Sequence, residues 1–219
     1  MSRTAACPSS RVRPVIFLFV TAALCACDKP ARSPEDVAAR VLANREWVED
    51  ARACPADVMP SEIANDNDRD TNCDGSAAGR CLGRCRRDDP DACYWLAQAL
   101  LEAKQEEASK VVFQRACILG VPSGCTNRAA HMKNARGKEA QACTARSFRR
   151  TCEAKDPWGC TMYGNSLHHG LGVPRDDALA LAAFEEACAI ADPDHVSCVR
   201  AREVIEQIRA AQAAVPAPE

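Results

Sequence analysis

Residues 152–188 read CEAKDPWGCTMYGNSLHHGLGVPRDDALALAAFEEAC, and they predict a unit built from two helices. In the first half, Tyr163, Gly164 and Leu167 give one short helical face, which Gly170 and Gly172 then break. Glycine at such a place relieves a left-handed helix end or a close approach. In the second half, Ala180, Phe184, Ala187 and Cys188 recur at helical spacing within residues 176–191. Asp176 and Asp177 stand at the start of that run, where unpaired amide hydrogens favour acidic side chains. Cys152 and Cys160 bracket a polar link whose Pro157 is disfavoured inside a helix. The stretch reads as link, helix, glycine turn and helix.

The link recurs. Cys85 and Cys93 are eight residues apart, as are Cys117 and Cys125, and Cys152 and Cys160; Cys188 and Cys198 are ten apart. The intervening segments CRRDDPDAC, CILGVPSGC, CEAKDPWGC and CAIADPDHVSC each contain Pro, so each pair brackets a helix-to-helix turn. First members of successive pairs fall 32, 35 and 36 residues apart, a period typical of helical solenoids.

The N-terminus predicts export. Residues 1–26 carry Arg3, Arg11 and Arg13 with no acid, and an apolar run of 13 residues follows from Val15 to Cys27. A membrane span needs about 20 apolar residues, so the pattern reads as a signal peptide. Leu24-Cys25-Ala26-Cys27 resembles a bacterial lipoprotein cleavage site, with Cys25 where a smaller residue is usual. That resemblance implies lipidation of Cys27 and a membrane-anchored protein facing the periplasm or the outer surface. The alternative is ordinary cleavage nearby and secretion. Beyond the leader and Cys27, twelve cysteines remain, the eight above with Cys54, Cys73, Cys81 and Cys143. An even number in an exported chain predicts a disulfide framework. Without a CxxC beyond Cys27, and with four scattered His, a metal site is not expected.

Gly159 to Cys188 resembles one Sel1-like repeat, a family related to tetratricopeptide repeats. Tyr163 and Gly164 fill its first places, Leu167 replaces an aromatic, and Gly170, Gly172, Val173, Asp176, Ala180, Phe184 and Ala187 match. Cys125 to Cys152 matches less well, with Arg128, Ala129 and Met132 as departures and Gly137 and Phe148 kept. Cys93 to Cys117 keeps Leu96, Ala97, Leu100, Phe113 and Ala116 but lacks the glycine turn. The resemblance, to the cysteine-rich branch, implies an all-α, right-handed solenoid of αα-hairpins stapled by disulfides. In that branch a bridge ties the second helix of one repeat to the first helix of the next. The expected bridges are Cys85–Cys93, Cys117–Cys125, Cys152–Cys160 and Cys188–Cys198. Bonded cysteines need Cα atoms about 4.4–6.8 Å apart, so each link must turn back. Cys54 is expected to join Cys73 or Cys81, and Cys143, without a local partner, is a candidate free thiol.

The chain thus divides into a signal peptide (1–26), an N-terminal helix and polar linker (27–76), the repeats (77–213) and a disordered tail (214–219). Ser33-Pro34-Glu35-Asp36 starts a helix that runs through Val37, Val41, Trp47 and Val48 to about residue 53. Asp66, Asp68, Asp70, Asn72 and Asp74 offer alternating oxygens of the kind calcium takes. Thr71 and Ala77 break the EF-hand pattern, and a solvated turn-rich linker is the favoured reading.

Removing three Arg with the leader leaves 25 basic against 30 acidic side chains, a formal charge of −5, which argues against nucleic-acid binding. No S-x-x-K, H-E-x-x-H or H-x-H-x-D motif occurs. An enzyme is therefore not the expected class, and no cofactor is expected. Solenoids of hairpins leave a long concave face that binds proteins. The first helices nominate Trp95, Asn127, Arg128, His131, Tyr163, Ser166 and His169 for that face. The expected function is a monomeric exported scaffold that binds a protein or cell-envelope component. The alternative, also suggested by the resemblance, is weak β-lactam- or peptidoglycan-related binding or hydrolysis.

Overall fold

The computed structural model describes residues 33–64, 73, 77–132 and 137–213. The expected signal peptide and Cys27, the aspartates of residues 66–74 and the expected C-terminal tail lie outside the described residues. Those described form eleven α-helices and no strand: α1 (Pro34–Leu42), α2 (Arg45–Asp50), α3 (Pro55–Val58), α4 (Ala78–Cys85), α5 (Pro90–Glu102), α6 (Glu106–Ile118), α7 (Pro122–Met132), α8 (Lys138–Glu153), α9 (Pro157–His169), α10 (Asp177–Ile190) and α11 (Val196–Ala213). From α4 onward each helix packs on the next, and α7, α9 and α11 also meet side by side.

One joint recurs between helix pairs, and its chemistry explains the cysteine spacing. Counting from its first cysteine, the third residue on has a left-handed backbone: Asp88 (φ 62°), Gly120 (φ 89°) and Lys155 (φ 65°). The next amide bonds back to a carbonyl five residues earlier, Val121 to Ala116 at 3.0 Å and Asp156 to Thr151 at 3.0 Å. That pattern closes a helix by satisfying its last carbonyls. Pro90, Pro122 and Pro157 then each open the following helix, where proline's missing N–H costs nothing. Asp89 and Asp156 cap α5 and α9, accepting from the amides of Ala92 and Gly159. The eighth residue on is the second cysteine, and the bridge closes with Cα atoms 4.7, 4.5 and 4.3 Å apart for Cys85–Cys93, Cys117–Cys125 and Cys152–Cys160.

Cys188–Cys198, at 4.5 Å, is the exception that shows the rule. Here α10 ends at Ala191 in an extended conformation (φ −95°, ψ 157°) rather than a left-handed one. The chain therefore turns through a separate Asp192–His195 bond of 2.9 Å, and the two extra residues form that turn.

Phe113, Phe148 and Phe184 stand four residues before the first cysteine of successive joints, and all three are buried. Burying such a side chain contributes about 1.5–3 kcal/mol. Small partners make room: a Cβ on Gly164 would lie 2.7 Å from the Phe184 ring, so α9 and α10 approach too closely for alanine there.

The N-terminal part departs from expectation in two ways. The helix expected to run to about residue 53 is broken at residues 43–44, because the Asn44 side chain accepts the Trp47 amide (3.2 Å) and starts a new helix. Moreover, α1–α3 form a strap on the repeats: α1 packs on α4, α5 and α6, α2 on α6, and α3 on α6, α7 and α8. Val37, Val41 and Trp47 join the core of α4–α6. Gln114 donates to the Ala53 carbonyl, and Arg150 donates to the carbonyls of Ala56 and Met59.

This strap decides the remaining cysteines. Cys54 is bonded to Cys143, 89 residues away, and Cys73 to Cys81. The expectation that Cys54 joins Cys73 or Cys81 is therefore overturned, and Cys143 is not a free thiol. The physical reason is placement: α3 lies on α8, which sets Cys54 and Cys143 5.8 Å apart at Cα, while Cys73 and Cys81 repeat the eight-residue spacing.

Candidate functional site

The seven residues expected on one face sit on α5, α7 and α9 and differ in what they touch. Trp95 packs edge-on against Tyr94 and flanks the core. Asn127 donates to the Ser123 carbonyl one turn back. Arg128 reaches the strap, donating to the Ala51 carbonyl at 2.7 Å, and burial lowers its pKa. His131 stacks on Phe113 at 6.0 Å. Burial first, then the positive charges of Lys110 and Arg128, hold the His131 imidazole below the usual histidine range against Glu106 and Glu107. Tyr163 packs against the core of α9–α11. Ser166 and His169 border a common cleft.

That cleft lies between α8 and α9 and has a volume of about 310 Å³. Gln141, Thr144 and Phe148 of α8 form one wall, and Met162, Asn165, Ser166 and His169 of α9 the other, with Leu171 at the edge. Its shape depends on the glycine turn. Gly172 (φ 75°) lies so close to α8 that a Cβ would stand 2.0 Å from the Gln141 carbonyl oxygen. Only glycine fits both the backbone angle and the approach, and this contact sets Leu171 against the cleft.

Among the described residues, no acid, lysine or arginine lines the cleft. Its hydroxyls have used their hydrogens within their own helices, Thr144 donating to Ala140 and Ser166 to Met162 at 2.9 and 3.0 Å, and Asn165 donates one of its two amide hydrogens to Thr161 at 3.1 Å. The hydroxyls still present acceptor oxygen lone pairs, and Asn165 an acceptor oxygen beside its second N–H. The cleft therefore offers an apolar floor (Phe148, Met162, Leu171) beside a row of acceptors.

His168 and Asp177 form a histidine–carboxylate pair at the α9–α10 turn. Nδ1 of His168 lies 2.6 Å from Asp177, and Arg175 donates to the other carboxylate oxygen at 2.7 Å. The Arg175 hydrogen bond first, then the one from His168, holds the Asp177 carboxyl below the usual range. Among the described residues, His168 makes no hydrogen bond to a hydroxyl or thiol. The pair spans the turn from α9 to α10 and ties it. No known protein family, curated protein or solved structure matches this chain.

Asp156, 6% exposed, is the centre of a second, buried carboxylate network. It accepts from the Gly159 amide (3.0 Å), from Ser123 (3.3 Å) and from the Thr126 hydroxyl, whose oxygen also lies 2.9 Å from that of Thr151. The network thereby joins α7, α8 and α9 directly beneath the Cys152–Cys160 joint. Among the described residues, no group of three or more His, Cys, Asp or Glu is placed to hold a metal, and no helix is long and apolar enough to cross a membrane.

The cleft's α8 wall and Asn165 were missed because the expected face was drawn from selected first-helix positions alone. A signal was present: Gln141, Thr144 and Phe148 fall at helical spacing on the second helix, polar beside apolar.

Proposed function

We propose that this chain is an exported helical-repeat scaffold of the cysteine-rich Sel1-like kind, a right-handed hairpin solenoid that binds a segment of another protein without turnover. The observation that carries the reading is the uncharged α8–α9 cleft. Its spare acceptors suit the N–H groups of a peptide main chain, and its floor suits one apolar side chain. Six disulfides fit an oxidising, exported environment. Within this reading the protein is a monomer tethered by lipid at Cys27. A Cys27→Ser variant is then expected to lose palmitate labelling and membrane attachment.

The cleft is tested by placing a photo-crosslinking amino acid at position 169 in the producing cell, with position 202 on α11 as control. The reading expects a recurrent adduct with a peptide segment of one envelope protein from position 169, lost when Ser166→Trp fills the cleft. Equal adducts from both positions contradict it. So does nitrocefin hydrolysis by the purified protein that a single substitution abolishes.

A further inference from the structure

We propose that the Cys54–Cys143 bridge is a redox modification site, opened by a dithiol reductant ahead of the four joint bridges. The inference stands on the surroundings of the sulfurs and is independent of the cleft's ligand.

In the joints, sulfur faces backbone carbonyl oxygen. Cys93 Sγ lies 3.6 Å from the Cys85 oxygen, Cys117 Sγ 3.6 Å from that of Pro55, Cys160 Sγ 3.6 Å from that of Cys152, and Cys188 Sγ 3.3 Å from that of Cys198. A carbonyl stabilises a thiol by accepting its hydrogen and disfavours a thiolate. The short loop also keeps the two cysteines together, so a broken joint re-forms readily.

Cys54 is placed differently. Its Sγ lies 3.7 Å from the Arg146 guanidinium and 3.6 Å from the Ser147 hydroxyl. Asp57 holds Arg146 there through bonds of 3.1 and 3.3 Å. Cys54 is half-buried and, with Cys143, borders an open cavity of about 670 Å³. Among the described residues, the charged groups bordering that cavity are Arg52, Lys138 and Arg146 against Asp57 and Glu139, with Arg52 paired to Glu49, and the cation beside the Cys54 sulfur is Arg146. Donors and cations around a sulfur favour its thiolate, the better leaving group.

The exchange balances as follows. A thiolate of the dithiol, drawn in by the Arg146 guanidinium, attacks the more exposed Cys54 sulfur; the Cys54–Cys143 bond breaks, and its electron pair goes to Cys143, which takes a proton from water. The reductant's second thiolate then attacks its own sulfur in the mixed disulfide, and Cys54 leaves as a thiolate beside Arg146. Two electrons pass from the dithiol, which becomes a disulfide, to the bridge. The strap then keeps only non-covalent ties to α8, among them Arg150 to Ala56 and Met59 and the Ala56 amide to Ser147.

The test treats the oxidised full chain with limiting dithiothreitol or a reduced CxxC oxidoreductase, quenches with iodoacetamide and maps peptides without reduction. Cys54 and Cys143 are expected to be alkylated at least about tenfold faster than any joint cysteine. Arg146→Ala is expected to slow their release several-fold and to move Cys54 alkylation in the reduced protein to higher pH. Arg146→Lys restores part of both, and Arg149→Ala, on the same helix, changes neither. A joint that opens as fast as Cys54–Cys143 overturns the proposal, and so does an Arg146→Ala variant with unchanged rate and pH profile.

Discussion

Replacing Asp156 by Ala should be among the costlier single changes at the joints, and the cost can be worked from its bonds. The carboxylate is buried and serves two helices at once, α7 through Ser123 and Thr126 and α9 through Gly159. Losing the cap on α9 costs about 1 kcal/mol, since the Gly159 amide is left without its partner. The charged bond to the buried Thr126 hydroxyl adds about 1.5–3 kcal/mol, reduced because Thr126 keeps Thr151 as an acceptor. The expected loss is about 3 kcal/mol. Asp89 holds the same place two joints earlier, yet its side chain is 30% exposed and its ion-pair partner Arg84 37%. Water can replace those contacts, so Asp89→Ala should cost only about 1 kcal/mol. Asp156→Asn keeps an acceptor for the cap and should fall between the two. Urea unfolding followed by far-ultraviolet circular dichroism measures all three, with hydrogen exchange at the first amides of α9 as a local readout. An Asp156→Ala variant that loses no more stability than Asp89→Ala would refute the assignment of Asp156 as the shared anchor.

Gly172→Ala must move a backbone carbonyl as well as strain a left-handed residue, and a loss of about 2–4 kcal/mol is expected by thermal unfolding. Glycine at Lys155, whose φ of 65° suits it better, should instead stabilise by about 1 kcal/mol. His131 is held below its usual range, so the unfolded chain takes up a proton first as pH falls. Stability should therefore be full above about pH 6.5 and decline below it, until the folded-state value is passed, and His131→Gln should remove that component in a pH series of melts. Removing Cys54–Cys143 by paired alanines should cost about 4.4 kcal/mol on loop-entropy grounds, allowing for the bridges nested inside its loop, against about 2.5 for an eight-residue joint. Equal losses from the two double variants would contradict that ranking.

Local rules wrote the joints into the sequence, and non-local packing hid the rest. The cysteine spacing, the prolines and the regular Phe113, Phe148 and Phe184 each reflect a contact within one hairpin or its neighbour, so they leave a period. The Asp-Pro pairs were legible as turns, although Asp89 and Asp156 prove to cap the next helix while residues 88 and 155 make the reversal. Strap contacts join residues 60 to 90 positions apart and leave no period. Nothing near Cys54 in the chain points to Cys143. Arg128 looked like a surface residue on a first helix, but its guanidinium reaches the strap carbonyl of Ala51. Asn44 sits inside a helical hydrophobic pattern, and only its bond to the Trp47 amide shows why the helix ends there. The cleft was half visible, through Ser166 and His169, because its other wall belongs to a different helix.

The register of the hairpins, and with it the cleft and the strap, depends on which cysteines are joined. Peptide mapping of the secreted, non-reduced protein tests this most directly. The expected linkages are Cys54–Cys143, Cys73–Cys81, Cys85–Cys93, Cys117–Cys125, Cys152–Cys160 and Cys188–Cys198. A peptide joining Cys117 to Cys152, or Cys54 to Cys73, would contradict the architecture.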